Sequence, residues 1–221
     1  MNALLLLLLA IGAVACAGDP LAPSQPRADS VVTLLRVSEP PPCLGFPEER
    51  CRYAETYEPR CAAVALVREG QTQLATASHC VPESATNTTA IRFDAPSGWG
   101  HGRAYLLERD TAADVAFLSL QAPEMVKPLR VGRAPNVGET VSSYSPRFRA
   151  RSVGMVIDWL GPDWFETSQT VGEGWSGAPV LNDRGDVVGI VIRCPLAVDG
   201  TARRCVPGRS VVTAAQCFGA E

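Results

Sequence analysis

The sequence predicts an all-β protein of the sandwich or barrel type. From Cys61 onward, short runs of Val, Ile, Leu, Ala and aromatic residues are separated by Gly, Pro, Asn and Asp, which is the pattern of many short antiparallel strands. The segment LNDRGDVVGIV reads as a hairpin, with Asn182 to Gly185 in the turn and an apolar strand on either side. No segment sustains a helical period, and no internal repeat is present.

The strands expected in order are Cys61–Val67, Ala90–Phe93, Ala104–Leu107, Val115–Leu120, Glu139–Ser143, Gly154–Trp159, Trp164–Thr167, Pro179–Leu181, Val187–Ile192 and Arg209–Val212. At 221 residues the chain is long enough to bury a core without help from a metal. The formal charge is −3, and Lys127 is the only lysine among 20 basic residues. Such a balance argues against a nucleic-acid partner. The one basic cluster, RFRAR from Arg147 to Arg151, alternates like a strand and reads as a solvated face.

Before Cys61 the chain has a different character. Residues 1–17 carry an apolar run too short to span a membrane and end in small residues, as an export signal does. AVAC, residues 13–16, also resembles a bacterial lipoprotein box, which would make Cys16 the lipidated N-terminus. Plain secretion and a lipid anchor both stay open, and either places the mature protein outside the cytoplasm. Residues 18–59 are rich in proline and contain one short apolar segment, Val31 to Val37, so they read as a tether or irregular extension; residues 60–221 form the expected folded domain.

Eight cysteines suit an oxidising compartment. Without Cys16, seven remain: Cys43, Cys51, Cys61, Cys80, Cys194, Cys205 and Cys217. No pair has the two-residue gap of a zinc knuckle and only two histidines exist, so neither a metal nor another cofactor is expected.

GEGWSGAPV, Gly172 to Val180, holds one serine between glycines. Glycine on both sides suits a tight turn that lets another molecule approach the backbone. A nucleophilic Ser176 needs a base and an acid to orient that base. His79, in TASHC, is favoured as the base over His101, which sits in a glycine loop; His101 is retained as the alternative. Asp114 heads the apolar strand of DVAFLSL, where a carboxylate at the core edge needs a partner such as an imidazole N–H. Asp110 is the alternative acid. GWSGA also approaches the nucleophile elbow of α/β-hydrolases, but there acid and histidine follow the serine, whereas both histidines here precede it.

Taken together, TASHC, DVAFLSL, GEGWSGAPV and GDVVGIV resemble the trypsin-like, chymotrypsin-fold serine proteases, closest to the compact bacterial branch that includes glutamyl endopeptidases. The resemblance covers roughly residues 61–213. It implies two six-stranded antiparallel β-barrels, with His79 and Asp114 from the first and Ser176 from the second meeting in the crevice between them. It implies that Gly174 and Ser176 supply the amides of an oxyanion hole, and that a Cys61–Cys80 disulfide ties the histidine loop to its strand. A Cys194–Cys205 disulfide closing the pocket edge is likewise implied, with Cys205–Cys217 as the alternative. Trp175 departs from the digestive members, which carry an aspartate there to capture a new N-terminus, so activation by that ion pair is not expected.

By the same resemblance the substrate pocket falls on Thr170 and Val171 at its floor, on Val191, Ile192 and Arg193 along one wall, and on Pro207 and Gly208 at the other. No acidic residue marks the floor and no histidine stands at Val191, which points to a small or apolar residue before the cut bond. The function expected is a secreted or envelope-anchored serine endopeptidase acting on protein or peptide substrates through an acyl-enzyme. An inactive protease-fold binding protein is the alternative.

Overall fold

The computed structural model describes residues 29–38, 56–94, 100–194, 196–199, 202–205 and 209–218. Two closed six-stranded barrels account for most of them. The first contains β1 (Val31–Ser38), β2 (Thr56–Arg68), β3 (Gln71–Ala77), β4 (Ala90–Asp94), β5 (His101–Asp110) and β6 (Val115–Leu120), in the order β1-β2-β3-β6-β5-β4. The second contains β7 (Thr140–Ser145), β8 (Ala150–Trp159), β9 (Trp164–Thr167), β10 (Pro179–Leu181), β11 (Val187–Arg193) and β14 (Ser210–Ala214). Its order is β10-β11-β14-β9-β8-β7, and β12 (Leu196–Asp199) with β13 (Ala202–Cys205) forms a separate hairpin between β11 and β14. Every strand pair in these sheets is antiparallel, as the sequence led us to expect.

Local chemistry explains the tight connections. The β2–β3 hairpin turns on Glu69 and Gly70, both at positive φ (53° and 73°), between the paired Arg68 and Gln71. Two such residues make the mirror-image turn whose twist matches the flanking strands. In the β10–β11 hairpin the Asn182 carboxamide oxygen accepts the N–H groups of Arg184 and Asp186, and Gly185 supplies the positive φ.

Two differences from the sequence reading concern the first barrel. Val31–Ser38, read above as part of a tether, pairs with β2 along its full length and with β4 through Thr33 to Leu35, and so closes the barrel. A lone strand between proline-rich stretches carries no local sign of its partners, because pairing is decided by distant residues. β3 was not expected either. QTQLATA is weakly apolar, yet five of its seven residues are buried, Gln73 and Thr76 among them. The expected signal segment, Cys16, Cys43, Cys51, Pro207 and Gly208 lie outside the described residues.

Each barrel has its own interior. Phe93, Leu74, Ala104 and Leu118 fill the first, and Phe165, Val141, Val180 and Val212 fill the second. A third apolar layer, with Leu66, Ala75, Val115 and Phe117 from one side and Leu181, Ile190, Ile192 and Val211 from the other, forms the seam between them. The closing 3-10 turn, Ala215–Phe218, belongs to this seam: Phe218 packs edge-on against Phe117 at 5.7 Å. Arg68 secures it by donating Nε–H to the Phe218 carbonyl (2.8 Å), pairing with Glu108 (2.7 Å) and covering the Phe117 ring at 4.3 Å.

Removing this arginine strips the turn of its charged donor and the aromatic ring of its cover. Arg68→Ala should therefore lower unfolding stability by about 2 kcal/mol, within the range for a charge-assisted hydrogen bond plus a cation–π contact. Chemical denaturation of the two proteins measures this, and an unchanged midpoint would show that the turn is held by apolar packing alone.

Candidate active site

β3 ends in the barrel seam, at Ala77. Ala77 runs into the 3-10 turn Ser78–Cys80, and Cys80 is bonded to Cys61 of β2 with a Cα–Cα distance of 6.0 Å. His79 is thus held between a strand end and a covalent bridge. The opposing residue, Asp114, comes from the turn between β5 and β6 and has a positive φ of 55°. A non-glycine residue in that region is uncommon and persists only where neighbours enforce it.

Those neighbours can be named. The Asp110 carboxylate accepts the N–H groups of Ala112 (2.8 Å) and Ala113 (3.0 Å) and so shapes the turn. From the second barrel, Thr213 Oγ1 (2.5 Å) and Trp164 Nε1 (3.3 Å) both donate to the Ala113 carbonyl. The Asp114 carbonyl accepts the Ser78 N–H at 3.0 Å. Its carboxylate is then used twice by His79: Oδ1 accepts the backbone N–H at 3.1 Å, and Oδ2 lies 2.8 Å from Nδ1. Against an ionised carboxylate, which can only accept, Nδ1 is the donor, and in the neutral tautomer that this geometry selects, Nε2 keeps a lone pair.

Ser176 is delivered by the loop before β10. Its carbonyl accepts the Ala62 N–H at 2.8 Å, and Ala62 follows Cys61, the disulfide partner of His79's neighbour. Gly177 is the residue that permits this approach, because a Cβ there would lie 1.9 Å from the Ala62 carbonyl oxygen and its φ is +80°. Thr76 Oγ1 donates to that same carbonyl at 2.7 Å. The Ser176 hydroxyl is half-buried and donates weakly to the Ile192 carbonyl at 3.4 Å; among the described residues no hydrogen bond joins it to His79.

From Gly174 to Ala178 the backbone amides differ in their bonding. Trp175, Gly177 and Ala178 donate their N–H groups to Gly172, Val191 and Trp175. Gly174 and Ser176 donate theirs to no acceptor among the described residues. The bond from Trp175 to Gly172 (3.2 Å), with Gly174 at φ +87°, is the signature of a type II turn, which needs positive φ at its third residue.

The residues assigned to the pocket are divided. Thr170 and Arg193 are exposed, while Val171, Val191 and Ile192 are buried at 5%, 1% and 3% exposure. Val191 packs into the second barrel and Ile192 into the seam, so along this wall backbone rather than side chain is on offer. Next to Thr170, the fully buried Gln169 accepts from Ser143 and Thr167 and donates to the Ser152 carbonyl, and Thr167 also bonds Ser210. This layer is polar and uncharged. Gly208 lies outside the described residues; Cys194 is disulfide-bonded, and the side chain of Cys205 is outside the described set.

The alternatives fall elsewhere. His101 opens β5 and lies 3.9 Å from Asp94, on the β4–β5 side of the barrel, and Asp110 serves its own turn. Cys61, His79 and Cys80 place three donor atoms within 4.8 Å of one another, but the two sulfurs are joined as a disulfide and offer no thiolate. Thr213, Trp164 and Thr76 escaped the sequence reading. A lone Thr or Trp in a strand gives no sign that it reaches a distant carbonyl.

A family model for the trypsin-like peptidase domain matches residues 63–190. Among curated proteins no sequence match is found. Among solved structures, the chain is similar to the HtrA-type protease AlgW with a decapeptide (17% identity, TM-score 0.63, covering 86% of this chain and 62% of that one). It is also similar to the serine endoprotease from Yersinia pestis (17% identity, TM-score 0.61, covering 86% and 60%). The chain therefore spans less than two thirds of either neighbour. With two antiparallel barrels, a histidine–aspartate pair at their seam and this match over most of the folded part, the chain belongs to the trypsin-like peptidase domain family.

Proposed function

We propose that this protein is an exported serine endopeptidase that cleaves peptide bonds through an acyl-enzyme, with Ser176 as nucleophile, His79 as base and Asp114 as the group that orients it. One observation carries the reading: beside Trp175, Gly177 and Ala178, whose amides are bonded, those of Gly174 and of Ser176 itself have no acceptor among the described residues, in a loop docked beside the histidine turn. Two preorganised donors with nothing to bind suit an oxygen that becomes negative only during reaction.

In this reading the Ser176 hydroxyl turns from the Ile192 carbonyl to Nε2 of His79, a rotation about one side-chain bond. The imidazole takes the proton as oxygen attacks the scissile carbonyl, and Asp114 balances the imidazolium through Nδ1. The tetrahedral oxygen accepts the Gly174 and Ser176 amides, each donor contributing about 3 kcal/mol at comparable sites. His79 next passes its proton to the leaving amine, and water enters by the same route to release the acid. No step calls for a metal or an organic cofactor.

The decapeptide held by one structural neighbour supports peptide as the substrate class. The uncharged Thr170 and Val171 at the expected pocket floor support a small or apolar residue before the cut bond. Export rests on the N-terminal pattern of residues 1–17, and lipid attachment at Cys16 is the form of it that would hold the enzyme on a membrane.

The purified mature protein should be labelled covalently by a fluorophosphonate at Ser176, and Ser176→Ala should abolish labelling. Absence of label on the unmodified enzyme across neutral pH would sink the assignment. Asp114→Asn should keep the fold but lower kcat by about 10⁴-fold, because the imidazole then sits in the wrong tautomer; peptide turnover per titrated site measures it. Gly177→Ala should uncouple the Ser176 loop from Ala62, removing labelling in a protein whose circular dichroism still reports β-structure. Full labelling of that variant would mean the close approach to Ala62 is dispensable.

A further inference from the structure

Apolar side chains stand on the outer face of β8, where a barrel strand that faces water is normally polar. The inward residues of β8 are fixed by their contacts: a Cβ on Gly154 would lie 2.9 Å from the fully buried Gln169 side chain, and Val156 packs in the interior of the second barrel. Alternation then turns Val153 and Met155 outward. Ile157 joins them at a bulge, where the pairing with β9 passes from Val156 to Asp158. Leu160 follows the strand, and Val137 runs alongside it, since Gly138 N–H donates to the Val156 carbonyl (2.8 Å) and Val156 N–H to the Glu139 carbonyl (2.9 Å). These are five of the eight large apolar side chains that stay exposed among the described residues, at 37% to 58%. Exposed singly they would be ordinary; gathered on one strand and its neighbour they mark a surface that meets something other than water.

One end of this stripe is basic. Arg147 and Arg149 stand in the turn between β7 and β8, residues 146–149, and Arg151 shares the outer face with Val153. Arg68, Arg130, Arg133 and Arg209 each pair with an acid, whereas Arg147, Arg149 and Arg151 pair with none among the described residues. Arg147 covers the ring of Phe148, which stacks in turn on Trp175, and Nε and Nη2 of Arg151 are shielded from water without an acceptor. A cation so placed gains from an anion brought to it. The one acid on β8, Asp158, lies at the other end and accepts the Trp159 N–H. The chain also enters the fold against this barrel: Val31, at the start of β1, is buried in the layer that holds Val141 and Val156. Residues 17–28 span at most about 45 Å when extended, so an acyl chain on Cys16 would keep the barrel close to a bilayer, where even a weak surface contact forms readily.

An aliphatic stripe that ends in uncompensated arginines has the composition of a surface lying in the headgroup boundary of an anionic membrane. We propose that the outer face of β8 is a membrane-association surface, with Val137, Val153, Met155, Ile157 and Leu160 entering the acyl boundary of an anionic bilayer and Arg147, Arg149 and Arg151 meeting its phosphates. The face binds lipid on its own account, and an anchor at Cys16 adds to it. The inference stands whether or not Ser176 is the nucleophile.

The test is sedimentation of the purified mature protein, carrying no acyl group, with vesicles of phosphatidylglycerol and phosphatidylethanolamine, set against vesicles of phosphatidylcholine alone. The protein should bind the first far better than the second, and high salt should weaken that binding. Val153→Ser combined with Met155→Ser should lower the partition coefficient by about tenfold. Arg147→Ala combined with Arg149→Ala should lower it by about fivefold for each arginine. Should the serine pair not fold, as read by circular dichroism, Ile157→Ser combined with Leu160→Ser takes its place with the same expectation. Failure of the unmodified protein to bind anionic vesicles overturns the proposal, and so does binding that the serine pair leaves intact. Equal binding to both kinds of vesicle overturns it too, because the arginines would then have no part. If the unmodified protein dimerises in analytical ultracentrifugation and the serine pair makes it monomeric, the face belongs to a second copy of the chain and the proposal falls.

Discussion

The site depends on one close approach between backbones. Ser176 and Gly177 lie directly on Ala62 of β2, carbonyl to amide at 2.8 Å, with no space for even a methyl group at residue 177. Through this contact the loop that carries Ser176 is held against the strand next to the histidine turn. Ala62 follows Cys61, Cys61 is bonded to Cys80, and Cys80 follows His79, so the serine is referenced to the histidine through a few stiff links. The 19-residue separation closed by the disulfide contributes about 3 kcal/mol in the chain-entropy picture, and its placement also fixes the histidine turn.

A second tie runs in the opposite direction. Thr213 and Trp164 of the second barrel bond the carbonyl just before Asp114, in the first barrel. The aspartate's left-handed backbone is enforced from both sides, and its carboxylate is spent wholly on His79. Together with the bond from Arg68 to the Phe218 carbonyl, these ties are polar crossings set in an apolar seam, and His79, Asp114 and Ser176 stand beside the first two. Buried polar groups are tolerated in such a place because each has a partner, and the partners fix orientation more tightly than apolar packing would.

Much of the fold was legible in the sequence because short amphipathic strands and turn residues are local signals. β6, β9 and β10 coincide with the segments expected, and other expected strands extend further in the structure, as β5 and β8 do. β1 and β3 were not read. The first lies among proline-rich stretches, which made it read as part of a tether, and the second buries Gln73 and Thr76, so it lacks the apolar alternation that marks a strand. Of the candidate site, His79, Asp114 and Ser176 could be picked out because few residues in the chain could serve and their order along it is distinctive, while Gly174 came only with the family resemblance. The pocket residues were less well served: Val191 and Ile192 turn their side chains into packing.

By itself the sequence determined the class of fold, the order of histidine, aspartate and serine, and the glycines that let a loop turn sharply. These are properties of residue type and spacing, which exist before the chain folds. Only the tertiary structure decided that β1 closes the first barrel, that Thr213 and Trp164 grip the turn before Asp114, and that Phe148 lies against Trp175. Each of those contacts joins residues far apart in the chain, and a side chain's type limits what it can bond without specifying which distant group will be brought to it.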